Sequence, residues 1–299
     1  MGSRINTNIG ALNALKSLND IGKRLETAQL RLATGKRINS AADDAAGYSI
    51  AKKFNARSQG LGQALANIGS AKNLVAVTEG HLSNIVDILT QMKTKATQAA
   101  DDSLATEERN AISKELKELG NQIDFETKQA TWNNRNLIAG YDTTGASSVA
   151  FTFQIGAGSS TTDDTITFDL LNTNNVSFGG TVGQNGYTAA SLSVSVTSTR
   201  DVTSGASAQA LMANIDTAIA NVSKALSYVG SVVNRLTYQE TSLTVARTNT
   251  ESARSRIEDA DMAYEQLEAT KLQILQQTAS AMLAQANAGP QTILSLFKG

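Results

Sequence analysis

Both ends of this 299-residue chain carry apolar or small residues at spacings that alternate between three and four, the spacing of a coiled-coil seam. At the C-terminal end these positions are Leu272, Leu275, Ala279, Met282, Ala286, Gly289, Ile293 and Leu296. At the N-terminal end they are Leu18, Ile21, Leu25, Ala28 and Leu32, and a second run of Ile5, Ile9 and Leu12 carries the stripe toward the start. Chain ends normally fray because they bury little surface. Packing seams on both ends therefore indicate helices that meet partners, and they favour an assembly subunit.

The remaining helical stripes predict a long bundle. We expect a first helix over Ile5–Leu32 and a second from Ala42 to Ala99, with Ser40 as its N-cap. At the rise of an α-helix the second would extend roughly 85 Å, which suits a rod. Thr106 is the expected cap of a third helix, and a fourth over Ile215–Leu236 should pack antiparallel on the second. Residues 151–155, 166–170 and 191–199 alternate apolar and polar positions, as short strands do.

The predicted fold is mainly α, a long antiparallel helical rod (coiled-coil bundle) with a small β-hairpin region at the tip and with the N- and C-terminal helices paired. The predicted domains are nested in sequence. Residues 1–40 with 258–299 form a terminal coiled-coil domain, and residues 41–140 with 205–257 form the helical rod domain. Residues 141–204, which are rich in Ser, Thr, Gly and Asn, form a β-rich tip region.

Composition excludes several classes of function. The 26 basic and 27 acidic residues nearly cancel, which argues against a nucleic-acid partner. The chain has no cysteine, so disulfides and thiolate metal sites are excluded. No apolar run is long enough for membrane insertion, and residues near Arg4 do not resemble a signal peptide. We expect a cytoplasmic protein or one exported by a route that needs no signal peptide.

Few residues could carry chemistry. The lone histidine, His81, adjoins an apolar stripe and is expected to be a surface or groove residue. Gly35-Lys36 lacks the Ser or Thr and the earlier Gly of a phosphate loop. The paired aspartates lack the glycine and spacing of a calcium loop. We therefore predict no catalytic, cofactor or metal site, no cofactor and no enzymatic activity.

Several segments together resemble the bacterial flagellins. These are INTN at 5–8, RLATGKRINSAADDAAG at 31–47, TWNN at 131–134, FQIGA at 153–157, SRIEDAD at 255–261, QILQQ at 273–277 and LAQAN at 283–287. The resemblance covers roughly residues 1–140 and 205–299, in order. It implies a structural subunit that self-assembles into the flagellar filament for swimming motility, in a minimal form with little or no outer domain.

The resemblance also implies partners and a location. The subunit would be exported by the flagellar type III apparatus without a cleaved signal peptide, and would be extracellular in the bacterial flagellum. A secretion chaperone would bind the C-terminal segment, and filament cap and hook–filament junction proteins would meet the homopolymer. The residues expected at the assembly seam are Ile5, Ile9, Leu12, Leu25, Leu32, Leu272, Leu275, Met282, Ile293 and Leu296.

Many flagellins also carry a patch that a host innate immune receptor recognises. The resemblance places that patch at Leu89, Gln91 and Lys93 with Glu115 opposite, and we expect the first three to be presented on a surface. Gln91 stands where Arg is usual and Lys95 where Leu is usual. Since an amide lacks the charge and planar fork of a guanidinium, receptor recognition is in doubt.

Two alternatives remain open. A hook–filament junction protein would resemble the flagellins at both ends and would also be structural. The other alternative, from a different functional class, is an enzyme with its site in the strand region. A metal-dependent assay with and without chelator would distinguish it from a structural protein.

Overall fold

The computed structural model describes residues 8–138, 150–160, 162–169, 192, 202 and 204–296, with side chains through residue 288. Five helices dominate the described chain: α1 Ile9–Thr34, α2 Ala45–Ala99, α3 Thr106–Gln129, α4 Gly205–Glu258 and α5 Met262–Leu296. Two antiparallel hairpins lie between α3 and α4: β1 Thr131–Trp132 with β2 Arg135–Asn136, and β3 Phe151–Gln154 with β4 Thr165–Phe168. The prediction of a mainly α fold with a small β region is confirmed.

The chain divides into two compact units. Unit 1 comprises Met1–Gln59 and Arg247–Gly299, and unit 2 comprises Gly60–Ala246. Unit 1 therefore combines the two end segments of the sequence, whereas unit 2 is one continuous segment. None of the helices in the described ranges is both long and apolar enough to cross a membrane.

Unit 2 is built on one continuous apolar core contributed by α2, α3, α4 and the hairpins. Fully buried members include Ile68, Leu82, Leu89, Leu116, Val222 and Leu236. Lys72 of α2 pairs with Glu240 of α4, and Lys93 pairs with Asp216. Because the partner number falls as the lysine number rises, α2 and α4 run antiparallel here, as the stripes predicted.

The starts of α2 and α3 differ from the predicted ones because local hydrogen bonds determine which residue caps each helix. The Asp44 carboxylate accepts the Gly47 N–H at 2.9 Å at the start of α2, so the prediction of Ser40 as N-cap is wrong. The Ser40 N–H and hydroxyl both donate to Asp43 instead. At α3 the cap is Ala105 and not Thr106, since the Ala105 N–H donates to Glu108 at 2.6 Å.

The hairpin regions agree only in part with the alternation in the sequence. Strands β3 and β4 fall within or beside the predicted segments 151–155 and 166–170, with Phe151 opposite Phe168. The third predicted strand, 191–199, lies outside the described residues apart from Leu192. The β1–β2 hairpin was not predicted, although Asn133 and Asn134 take the positive φ angles of 49° and 61° that a two-residue hairpin turn needs.

Candidate assembly surface

The functional candidate is the pair formed by α1 and α5 within unit 1, which runs antiparallel. The Asn8 side chain donates to the Ala286 carbonyl at 2.8 Å, while its oxygen accepts the Ala11 N–H and caps α1. Farther along, Arg24 pairs with Glu268 at 3.3 Å and Arg31 pairs with Glu265 at 3.2 Å. These contacts confirm the predicted pairing of the terminal helices and fix its register.

The core of this helix pair is small. Among the side chains that the structure describes, those buried together are Leu25, Ala28, Ala269 and Leu272, with Ile21 and Leu32 partly buried beside them. Glu265 is also buried, and its carboxylate faces the Arg31 guanidinium, so its charge is compensated. Over the described part of these helices of 26 and 35 residues, the shared apolar core is therefore short.

The connector that follows α1 is hydrogen-bonded to the connector that precedes α5. Gly35 ends α1 with a φ of 69°, and its carbonyl accepts the Ala260 N–H at 3.0 Å. The Arg37 N–H donates to the Glu258 carbonyl at 2.7 Å, and the Lys36 ammonium lies 2.6 Å from the Glu258 carboxylate. Because these bonds are largely between backbone groups, they hold the end of α1 beside the start of α5.

Many large apolar side chains of α1 and α5 face outward. Among the side chains described up to residue 288, ten are exposed by 39% to 65%: Ile9, Leu12, Leu15, Leu30, Met262, Tyr264, Leu267, Ile274, Leu275 and Met282. Single exposed apolar residues are ordinary, but a concentration of this kind on one helix pair marks an interaction surface.

The predicted seam residues fall into two groups. Leu25 and Leu272 are buried between the two helices and Leu32 is partly buried. Ile9, Leu12, Leu275 and Met282 are exposed. Ile5 lies outside the described residues, and Ile293 and Leu296 lie within α5 where side chains are not described.

Other exposed apolar residues were missed from the sequence because they lie off the main stripe. Tyr264, Leu267 and Ile274 form a second three-four stripe, with Lys271 completing its spacing. That stripe was readable in the sequence once a helix with two apolar faces was considered. Leu15 and Leu30 are not part of a comparable stripe in the sequence.

The residues of the suspected receptor patch are placed unevenly. Leu89 is fully buried in the core of unit 2, so the expectation that it is presented on a surface is wrong. Leu89 belongs to the apolar stripe of α2, and this stripe packs into the core. Gln91 is exposed, as expected. Lys93 is half-buried and pairs with Asp216, while Lys95 lies 2.7 Å from the exposed Glu115.

His81 contributes to packing between α2 and α3. Its Nδ1 lies 2.9 Å from Glu126 Oε2, and the Asn84 amide also donates to that oxygen. The hydrogen bond with His81 is the main reason that the pKa of Glu126 lies below its usual range. Within the described ranges no group of three His, Cys, Asp or Glu side chains is arranged to hold a metal ion.

Comparison with known proteins identifies the family. The family model of the bacterial flagellin N-terminal helical region matches residues 5–143, and that of the bacterial flagellin C-terminal helical region matches residues 212–297. The chain belongs to the bacterial flagellins. Flagellins are structural proteins, and this chain is a structural subunit of the flagellar filament.

Full-length relatives support this assignment. A flagellin of Listeria innocua is 33% identical over 98% of this chain and 99% of its own length. The flagellar filament 30.7 kDa core protein of Treponema maltophilum is 31% identical over the same shares. The similarity thus spans nearly the whole length of both relatives.

A solved structure from Vibrio parahaemolyticus, described as a flagellar hook-associated protein, superposes with a TM-score of 0.56. It is 17% identical and covers 73% of this chain and 100% of its own. At that identity the likeness shows the fold alone, and it does not favour the hook–filament junction alternative.

Proposed function

We propose that the α1–α5 helix pair is the part of this flagellin that joins subunits in the filament. The observation that carries the proposal is the contrast between its small shared core and its ten exposed large apolar residues. Covering that surface with neighbouring subunits removes apolar area from water, which is the main driving force of association.

The proposed domain roles follow from this assignment. Residues 1–40 with 258–299 would form the inner tube, residues 41–140 with 205–257 the surrounding helical rod, and residues 141–204 a reduced variable region. The hydrogen bonds between the connectors at Gly35–Ala260 and Arg37–Glu258 support the boundary between the first two.

The other proposed partners come from family membership. The subunit would leave the cell through the flagellar type III apparatus without a cleaved signal peptide, and would reside outside the cell. A secretion chaperone would bind the C-terminal segment before export, which would cover the exposed residues of α5. Cap and junction proteins would contact the two ends of the polymer. The role is structural and not enzymatic.

A matched pair of substitutions on α5 tests the assembly proposal. Ile274→Asn introduces an amide at a side chain that is 59% exposed in the subunit, and it should strongly reduce seeded polymerisation. Thr278→Asn, one turn farther at an exposed polar position, should polymerise normally. Sedimentation of seeded protein measures both. Normal polymerisation of Ile274→Asn would remove this face of α5 from the subunit contact.

We further propose that recognition by the host receptor is weak. Gln91 offers a neutral amide where the family usually has Arg, and the Lys95–Glu115 ion pair engages the acidic residue of the patch. Replacing Gln91→Arg together with Lys95→Leu should raise activation in a reporter-cell dose curve with monomeric protein. Full potency of the unaltered chain, with no gain in the double variant, would contradict this proposal.

A further inference from the structure

The thioethers of methionine are the only sulfur groups in this chain, which has five Met and no Cys. Met1 lies outside the described residues. Met92 is fully buried, and Met212 is partly buried with the Thr97 hydroxyl 3.8 Å from its sulfur. Met262 and Met282, by contrast, are 48% and 61% exposed. Both exposed thioethers lie on α5, in the helix pair proposed to join subunits.

Met282 lies near the end of that pair that also carries exposed apolar residues of α1. It precedes Ala286 by one helical turn, and Ala286 accepts a hydrogen bond from Asn8. Because the helices are antiparallel, Met282 lies level with Leu12, one turn after Asn8. Ile9 and Leu12 are 58% and 56% exposed. We call Ile9, Leu12 and Met282 the terminal apolar patch.

We propose that Met282 is an oxidation site through which peroxide controls polymerisation. The inference rests on the proposed function, which buries the terminal apolar patch between subunits. Hydrogen peroxide supplies the oxidant: the sulfur lone pair attacks one oxygen, the O–O bond breaks, and a sulfoxide and one water form. The sulfur loses two electrons and the peroxide gains them.

Oxidation changes what this surface can bury. A sulfoxide is polar and accepts hydrogen bonds, so burying it against a neighbouring subunit costs free energy. Oxidation before assembly should therefore block polymerisation. Oxidation after assembly should be slow at Met282, because the filament covers the thioether. The order of exposure to peroxide and of assembly thus determines the outcome.

The experiment treats the purified full-length subunit with dilute hydrogen peroxide and follows each methionine by peptide mass mapping. Met282 and Met262 should oxidise about tenfold faster than the buried Met92, because access governs the reaction. Treated subunits should show a critical concentration for seeded polymerisation about tenfold higher, because a polar group is buried. Methionine sulfoxide reductase should restore the original value. Preformed filaments should keep Met282 reduced under the same treatment.

Substitutions assign the effect to one sulfur. Met282→Leu should polymerise and should remain unaffected by peroxide, whereas Met262→Leu should remain sensitive. Met282→Ile serves the same purpose if the leucine variant does not polymerise. Equal inhibition of wild type and Met282→Leu by peroxide would overturn the inference. So would an unchanged critical concentration after full conversion of Met282, or equal oxidation in filament and subunit.

A further variant separates this inference from the proposed function. Untreated Met282→Gln places a polar side chain of similar length in the terminal apolar patch. Normal polymerisation of this variant would show that the patch is not buried between subunits, and the proposed function would fail. Impaired polymerisation of this variant, with no peroxide effect on wild type, would leave the proposed function standing and overturn the oxidation site alone.

Discussion

Substituting Leu12→Ala should weaken polymerisation while leaving the subunit folded. Leu12 is 56% exposed in the subunit, so that share of its side chain remains to be covered on assembly. Fully burying a leucine contributes about 1.5–3 kcal/mol, and this share of it is therefore about 0.8–1.7 kcal/mol. If neighbouring subunits cover the side chain, the critical concentration should rise by roughly 4- to 18-fold.

The assay is sedimentation of seeded protein over a concentration series, with circular dichroism melting of the unpolymerised subunit beside it. Asn13→Ala is the matched control, because it alters an exposed polar residue next to Leu12 and removes no apolar contact. The variant Leu12→Ala should keep the circular dichroism spectrum of the wild-type subunit at the assay temperature, which shows that it is folded. A critical concentration equal to that of wild type would refute the reasoning, since Leu12 would then stay in contact with water in the filament.

Three further outcomes follow from the contacts described. Leu272→Ala should destabilise the α1–α5 pair by about 2–5 kcal/mol, because Leu272 is buried in its small core, and amide exchange of α1 and α5 should rise while that of α3 does not. Deleting residues 280–299 should abolish polymerisation but leave the fluorescence of Trp132 unchanged; filaments at normal yield would contradict this. The lowered pKa of Glu126 stabilises unit 2 at neutral pH, and that contribution is lost as pH falls through the lowered value. Glu126→Gln should therefore show a smaller loss of stability between about pH 7 and pH 3 in denaturant titrations, and an unchanged acid dependence would rule out the His81–Glu126 bond as its source.

The sequence predicted the helices well because long apolar stripes have one dominant solution. The observed α2 ends at Ala99 as predicted, and the pairing of α1 with α5 follows from two matching stripes. Helix starts were less predictable because several neighbouring polar residues are each of a type that can cap a helix. Asp44 rather than Ser40 caps α2, and nothing in the local sequence ranks these two residues.

The candidate surface was harder to predict than the fold. A three-four stripe shows that a face is apolar, but not which partner covers it. Leu272 and Leu275 are adjacent members of one stripe, yet the first is 1% exposed and the second 39%. Leu89 was also misjudged. The family pattern suggested that it is exposed, but it belongs to the apolar stripe of α2 and is buried.

The register of the terminal helices shows why polar contacts matter in so apolar a pair. Two three-four stripes can be shifted past each other by seven residues and still match apolar with apolar. The contacts that distinguish the observed register are polar: the hydrogen bond from Asn8 to Ala286, and the backbone bonds of Gly35 and Arg37 to the opposite connector. These connectors fall within residues 31–47 and 255–261, two of the segments by which the chain resembles the flagellins. In this chain those segments therefore fix the alignment of α1 with α5. That alignment determines which apolar residues stay exposed and can contact a neighbouring subunit.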